Sequence, residues 1–168
     1  MSTLLVQNIK HTNGTTAATV NSSGVFASAG HAIQTVYSEY ETYGSSTSTS
    51  AFSIPVTATI TPKFSTSKIL IVGTISSVGA ANCNVTTFIK SHLYREIGGS
   101  ATDTGHSCGT YVANNTYSSH TILHIDAPNT TSAVTYKIYG SGSGATGGQY
   151  AWMRTTGTST FLAAEISA

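Results

Sequence analysis

The pentapeptide GHSCG, residues 105–109, has the G-x-S-x-G spacing of a hydrolase nucleophile, with Ser107 in the serine position. That motif needs a strand before it, a helix after it, and an acid followed by a histidine later in the chain. The residues that follow, TYVANNTYS, are strand-like, and no histidine comes after the candidate acid Asp126. A Gly-rich turn is the better interpretation, and a hydrolase using Ser107 is kept only as a remote alternative.

Histidines are the next candidates, because His106, His120 and His124 lie close together in sequence. His120 and His124 share one face of a predicted strand, about 13 Å apart, so one ion cannot bind both within a single chain. Three copies of one histidine could still meet on the axis of a symmetric trimer. Ordinary hydrogen-bonded histidines are favoured, and neither a metal nor an organic cofactor is predicted.

The other chemistry-bearing residues form no catalytic set. The six acids are not spaced as a general acid/base pair, which argues against glycoside hydrolysis. Residues 142–147 fit G-x-G-x-x-G, but they lead into the strand-like GQYAWMR rather than a helix, which excludes a dinucleotide site. No catalytic residue is predicted, and the chain is expected not to be an enzyme.

Composition indicates a β-rich protein with an unusually uncharged surface. Charged residues make up 8% of the chain, against roughly 25% in ordinary soluble proteins. The net charge of +1 provides no basic surface for nucleic acid, and no apolar run is long enough for membrane insertion. Nine Tyr and five Phe, with many Val, Ile and Thr, favour a pleated sheet. So few charges suit a subunit of a large assembly better than a free protein.

Two stretches show how the strands are expected to lie. Apolar residues alternate over residues 52–60, which predicts a strand with one face on the core. Ile69, Leu70, Ile71 and Val72 form an unbroken apolar run, which predicts a strand covered on both faces. No stretch of the sequence combines an apolar repeat of about 3.6 residues with helix-capping residues, so no long helix is predicted. Strands are predicted near residues 32–42, 52–60, 68–78, 85–97, 109–117, 120–126, 133–139, 149–154 and 160–166, which together indicate a jelly-roll or related β-sandwich.

The first thirty residues differ from the rest. They contain two short β-like runs that end in turn signals at Asn13-Gly14 and at residues 22–24. Two short strands are not stable alone, so we expect this segment to lie on other protein surface. The chain is therefore divided into an attachment segment, residues 1–30, and a β-sandwich domain, residues 31–168. No export signal is found at the N-terminus, so Cys83 and Cys108 are expected to be free thiols, with a disulfide as the alternative.

Four phrases of the sequence carry a resemblance that spans nearly the whole chain. They are ITPKFSTSKILIV at 60–72, IDAPNTTSAVTYKIY at 125–139, FLAAEIS at 161–167, and LLVQNIKHTNGTTAATVNSSG at 4–24. The first three resemble a domain of structural proteins in tailed bacteriophages, especially those of cyanobacteria and marine bacteria. The fourth is similar to a short leader of phage fibre proteins. The chain lacks the long shaft of many phage fibres.

The resemblance implies a C1q/TNF-like jelly roll that forms a homotrimer, with Ile69, Leu70, Ile71 and Val72 shared between the core and the subunit interface. It implies a virion component, assembled in the host cytoplasm and bound to other virion proteins. The predicted function is a short tail-fibre or fibre-tip subunit that presents its β-domain to a host surface. The alternative is a capsid-decorating trimer that stabilises the shell.

Two sets of residues are candidates for the contacts of such a subunit. Leu4, Leu5, Val6 and Ile9 are the apolar residues expected to attach the N-terminal segment to the virion. Tyr150, Trp152 and Arg154 alternate along one strand and are expected to face the same way. These three residue types are enriched at binding hot spots, so they are candidates for contact with a host glycan or protein. The alternative places Tyr150 and Trp152 in the core.

Overall fold

The computed structural model describes residues 8–14, 16–20, 24, 26–48, 50–81, 86–143, 149–152 and 157–168. Within these ranges the chain forms strands, turns and loops, with no helix and hence none that could cross a membrane. The strands are β1 (Asn8–Lys10), β2 (Thr16–Val20), β3 (Phe26–Ala27), β4 (Ala32–Tyr40), β5 (Gly44–Ser46), β6 (Phe52–Ile60), β7 (Lys68–Ala81), β8 (Thr87–Ile97), β9 (Ser100–Val112), β10 (Thr116–Asp126), β11 (Val134–Ser143), β12 (Gln149–Trp152) and β13 (Ser159–Ile166).

Eight of the strands form a jelly roll. One sheet has the order β4-β13-β7-β10, and β12 and β5 extend it beside the far end of β7. The facing sheet has the order β6-β11-β8-β9. Apart from the β8–β9 hairpin, these eight strands pass from one sheet to the other at each successive connection, which is the Greek-key winding of a jelly roll. The predicted all-β jelly-roll class is confirmed.

The core lies between the two sheets, and β6 shows why its sequence alternates. Ile54, Val56, Ala58 and Ile60 are almost completely buried, whereas the residues between them are exposed or half-buried. β6 is an edge strand of its sheet. It therefore tolerates Pro55, which has no N–H to donate, at a shift in the β6–β11 register. The predicted bounds of this strand, 52–60, match the observed ones.

The region around GHSCG differs from the prediction. A loop was expected before a strand at 109–117, but β9 begins at Ser100 and runs to Val112. The turn before it is only Gly98-Gly99, where both residues have positive φ, and Asn115 with φ 56° turns the chain into β10. β9 is an edge strand with one face in solvent. Small polar residues therefore suit it, although the same residues usually indicate turns.

The N-terminal segment forms a small sheet of its own, in the order β1-β2-β3. Gly14, with φ 84°, lies in the turn between β1 and β2, where the Asn-Gly signal predicts one. The segment joins the sandwich where the Gly30 N–H donates to the Ser167 carbonyl and the Ser167 N–H donates to the His31 carbonyl, both at 2.9 Å. Residues 30 and 31, where the N-terminal segment meets the sandwich, are therefore tied to Ser167 just after β13.

Candidate functional site

The outer face of the six-stranded sheet carries apolar side chains in a continuous row. Strand register places Leu123 beside Val72, Val72 beside Leu162, and Leu162 beside Tyr37, so the row crosses four strands. The next row along contains Ile125 and Leu70 in register. Several of these side chains are exposed: Tyr37 by 55%, Val72 by 39%, Leu123 by 63% and Ile125 by 61%. The name apolar outer face is used below for six residues: Tyr37, Leu70, Val72, Leu123, Ile125 and Leu162.

The run at residues 69–72 contributes to both sides of this sheet. Ile69 and Ile71 are fully buried in the core, while Leu70 is half-buried and Val72 exposed on the apolar outer face. A single chain therefore covers one face of the run and leaves the other open. Cover on the second face stays a prediction, because it requires another protein surface.

Tyr150 and Trp152 lie in the core, which corrects their interpretation as host-surface contacts. Their exposures are 2% and 7%, and both rings stack on Phe52, with centroids 6.2 and 5.4 Å away. The hydrogen-only side chains of Gly44 and Gly142 make room for the two rings, because a Cβ at either glycine would overlap them. Arg154 lies outside the described residues. The core alternative therefore holds for both aromatic residues.

Only one of the four candidate attachment residues lies within the described part of the chain. Ile9, in β1, is 47% exposed, as is Phe26 in β3 of the same small sheet. Leu4, Leu5 and Val6 lie outside the described residues. An attachment role for the segment stays a prediction, with two exposed apolar side chains available for it.

The outer face of the four-stranded sheet carries a set of aromatic side chains that sequence reasoning missed. Phe88 and Tyr111 pair across β8 and β9 with ring centroids 4.7 Å apart, and Tyr111 is 72% exposed. Further along, Tyr94 of β8 and Tyr139 of β11 pair at 4.3 Å. The period-2 pattern of β8, TFIKSHLYREI, could have indicated this face. It could not reveal the partners, which come from other strands.

His92 lies between these aromatic pairs and bridges two neighbouring strands. Its Nε2 is 2.8 Å from the Ser141 hydroxyl, and its Nδ1 is 3.8 Å from a carboxylate oxygen of Asp103. Hydroxyl, imidazole and carboxylate follow one another as in serine hydrolases, but 3.8 Å is too long for a hydrogen bond. We interpret the arrangement as a network that orients the His92 ring.

Ser107 occupies the middle of β9, opposite His92 in register. The Nε2 of His92 is hydrogen-bonded to Ser141 instead. A nucleophile elbow needs a sharp strand-to-helix turn, so the strand position contradicts that motif. It also replaces the Gly-rich turn that the sequence favoured.

Three further histidines, His106, His120 and His124, lie on the inner faces of the two sheets. His120 is buried, with its Nδ1 2.8 Å from the Ser91 hydroxyl, and burial lowers its pKa. The rings of His106 and His124 stack with centroids 4.9 Å apart. Burial, and then the proximity of His106, lower the pKa of His124. No group of three or more metal-binding side chains converges among the described residues.

Two carboxylates, the partly buried Asp126 and the buried Glu165, have structural partners. Asp126 receives both hydrogen bonds from the Arg95 guanidinium, at 3.0 and 3.1 Å, and a third from the Tyr136 hydroxyl at 2.8 Å. Burial, followed by the bond to Asp126, raises the pKa of Tyr136. Glu165, fully buried, accepts from the backbone N–H of Lys63 at 2.7 Å. Cys108 is a free thiol, whose pKa is raised by burial, and Cys83 lies outside the described residues.

Comparisons with known proteins provide no family assignment. No protein-family model and no curated protein matches the chain. Among solved structures, infectious bursal disease virus of the Gx strain matches at 16% identity and a TM-score of 0.47, covering 86% of this chain and 34% of that chain. The Gt strain matches at 12% identity and a TM-score of 0.42, covering 98% and 43%. This chain thus spans less than half the length of either. The fold assignment rests on strand order.

Proposed function

We propose that the chain is a non-enzymatic structural subunit of a virion that works as a homotrimer. The apolar outer face is the observation that carries this proposal. Soluble monomers rarely leave a contiguous apolar patch of this extent open to water, and such patches usually mark interaction sites. The resemblance of the sequence to tailed-phage structural proteins supports the same conclusion.

A second copy of the chain is the occupant that fits this face best. The centre of the face carries no charge: Lys68 lies beyond one end, and at the other Glu39 accepts a hydrogen bond from the Tyr37 hydroxyl at 2.5 Å. Identical copies can therefore bury the centre of the face against one another without enclosing an unpaired charge, which would be costly. Burial of apolar surface contributes about 25 cal/mol per Å².

The N-terminal segment is the proposed attachment to other virion proteins. Its small sheet carries Ile9 and Phe26 exposed, and it leaves the sandwich at the end held by Ser167. The β-domain would then project from the particle. A short tail-fibre or fibre-tip subunit that presents this domain to the host accords with the resemblance of residues 4–24 to the leader of phage fibre proteins. A capsid-decorating trimer is the alternative within the same class.

Sedimentation of purified protein tests the homotrimer. The wild-type chain is expected to sediment as three chains at micromolar concentration, and Leu123→Lys as a folded single chain, because a lysine would have to be buried unpaired. Ser107→Lys is the matched control, since Ser107 is exposed on the opposite face. A wild-type monomer, or a Leu123→Lys trimer as stable as the wild type, would contradict the proposal.

Deletion of residues 1–30 tests the attachment. We expect the truncated protein to keep its circular dichroism spectrum and its trimeric mass but to be absent from assembled particles. Incorporation of the truncated chain at the wild-type level would place the attachment elsewhere. Electron microscopy of particles labelled on the wild-type chain distinguishes a tail fibre, with label at the tail, from capsid decoration, with label over the shell.

A further inference from the structure

The aromatic face of the four-stranded sheet has the shape and spacing of a site for an extended ligand. Phe88, Lys90, His92 and Tyr94 alternate on the outer side of β8, and the neighbouring strands add Tyr111 and Tyr139. From Phe88 to Tyr94 is six residues of strand, about 20 Å. Rings are therefore present at both ends of a strip long enough for several sugar units.

The rings at the exposed end are held in place before any ligand binds. Phe88 packs on Tyr111, and the Lys90 ammonium lies over the Phe88 ring, 5.4 Å from its centroid. Gly109, opposite Lys90 in register, leaves the space that Phe88 and the Lys90 stem occupy, because a Cβ there would meet both at about 3 Å. Ordered side chains lose little conformational entropy on binding, which favours affinity.

Charge on this face favours an anionic ligand at the Phe88–Tyr111 end. The acidic side chains of this face lie toward its Tyr94–Tyr139 end, and both have partners. Glu96 is paired with Lys137 at 2.5 Å, and Asp103 lies beside His92. Lys90 has no carboxylate within ion-pair distance among the described residues. A single unpaired ammonium beside two aromatic rings complements a ring-shaped ligand that carries a carboxylate.

We propose that this face binds an acidic polysaccharide of the host envelope, with a sugar ring on the exposed Tyr111 and a sugar carboxylate at Lys90. The choice of a host target rests on the proposed function, in which the other sheet is covered by sister subunits and this one faces outward. In small-ligand sites generally, aromatic and apolar side chains supply the contact surface and a few polar groups fix the orientation of the ligand. Single-stranded nucleic acid also stacks on aromatic rings, but it requires a basic groove, and the chain's net charge is only +1.

Calorimetric titration with hexagalacturonate, and with neutral maltohexaose as its uncharged match, tests the site. We expect the wild-type protein to bind hexagalacturonate at least fivefold more tightly than maltohexaose, and less tightly as salt is raised. Tyr111→Ala should weaken binding of both at least tenfold. Lys90→Gln should weaken hexagalacturonate about fivefold and leave maltohexaose unchanged. Tyr43→Ala and Lys63→Gln are controls, because both residues are exposed elsewhere, and they should bind like the wild type.

Three results would overturn the proposal. They are no detectable binding of hexagalacturonate at millimolar concentration, equal affinity of Tyr111→Ala and Tyr43→Ala, and tighter binding of a thymidine 20-mer than of hexagalacturonate. Tyr111 is 72% exposed, so its variant should keep the wild-type melting temperature. Sedimentation of the same samples separates this proposal from the homotrimer. A monomer that binds the saccharide would refute only the assembly, and a trimer that does not would refute only this site.

Discussion

Replacement of Trp152 by alanine is expected to destabilise the chain strongly, because the indole fills core space that neighbouring residues cannot reach. The ring is 7% exposed and stacks on Phe52, with centroids 5.4 Å apart. Truncation of a buried Trp costs about 3–5 kcal/mol of unfolding free energy. In a chain of this size, each kcal/mol lowers the melting temperature by about 2–4 °C, so a decrease of roughly 6–20 °C is expected.

Thermal unfolding followed by circular dichroism measures this decrease. Protein concentration must be held constant, since assembly makes the melting temperature depend on it. Tyr43→Ala is the matched control, because Tyr43 is 50% exposed, and its melting temperature should stay within about 2 °C of the wild type. A Trp152→Ala protein that melts with the control would refute the core placement of the ring.

Gly44 provides an internal check on the same packing. A Cβ at Gly44 would overlap the Trp152 ring, so Gly44→Ala alone should destabilise the chain by about 1–3 kcal/mol. In a Trp152→Ala background the ring is gone, and the added methyl should be nearly neutral. The double-mutant cycle should therefore give a coupling energy of about 1–3 kcal/mol. Additive effects would show that the two residues do not contact each other.

Further predictions concern the buried polar groups. Glu165→Ala should lower the unfolding free energy by about 3 kcal/mol in chemical denaturation, because two backbone N–H groups and the Gln34 amide lose their buried acceptor; a change under 1 kcal/mol would contradict this. Tyr136→Phe should cost about 1.5–3 kcal/mol through loss of the hydrogen bond to Asp126, and an unchanged midpoint would argue against that bond. Because burial lowers the pKa of His120 and His124 in the folded state, unfolded chains bind more protons below their ordinary pKa of about 6.5. Stability should therefore be complete above pH 7 and fall on acidification below it, by at most about 1.4 kcal/mol per pH unit for each histidine, and His124→Asn should flatten this fall.

Local pattern determined much of the fold. Alternation over residues 52–60 predicts a strand with the observed bounds and the observed buried face, because side chains on a strand alternate strictly between its two sides. The Asn13-Gly14 turn and the absence of a helical period are equally local, and together they indicate the all-β class. The predicted start of β9 was wrong, because small polar residues favour turns as well as solvent-facing edge strands.

Sequence by itself determined which residues alternate, but only the tertiary structure decided what each face meets. Tyr150 and Trp152 are residue types that are common at binding hot spots. β12 nevertheless pairs with β7, and both rings stack on Phe52 in the core. Val72 belongs to the most apolar run of the chain, yet it is exposed on the apolar outer face. The pairs Phe88–Tyr111 and Tyr94–Tyr139 join residues of different strands. Period-2 patterning is a property of one strand, whereas the partner of each face depends on sheet order and register, which long-range pairing determines.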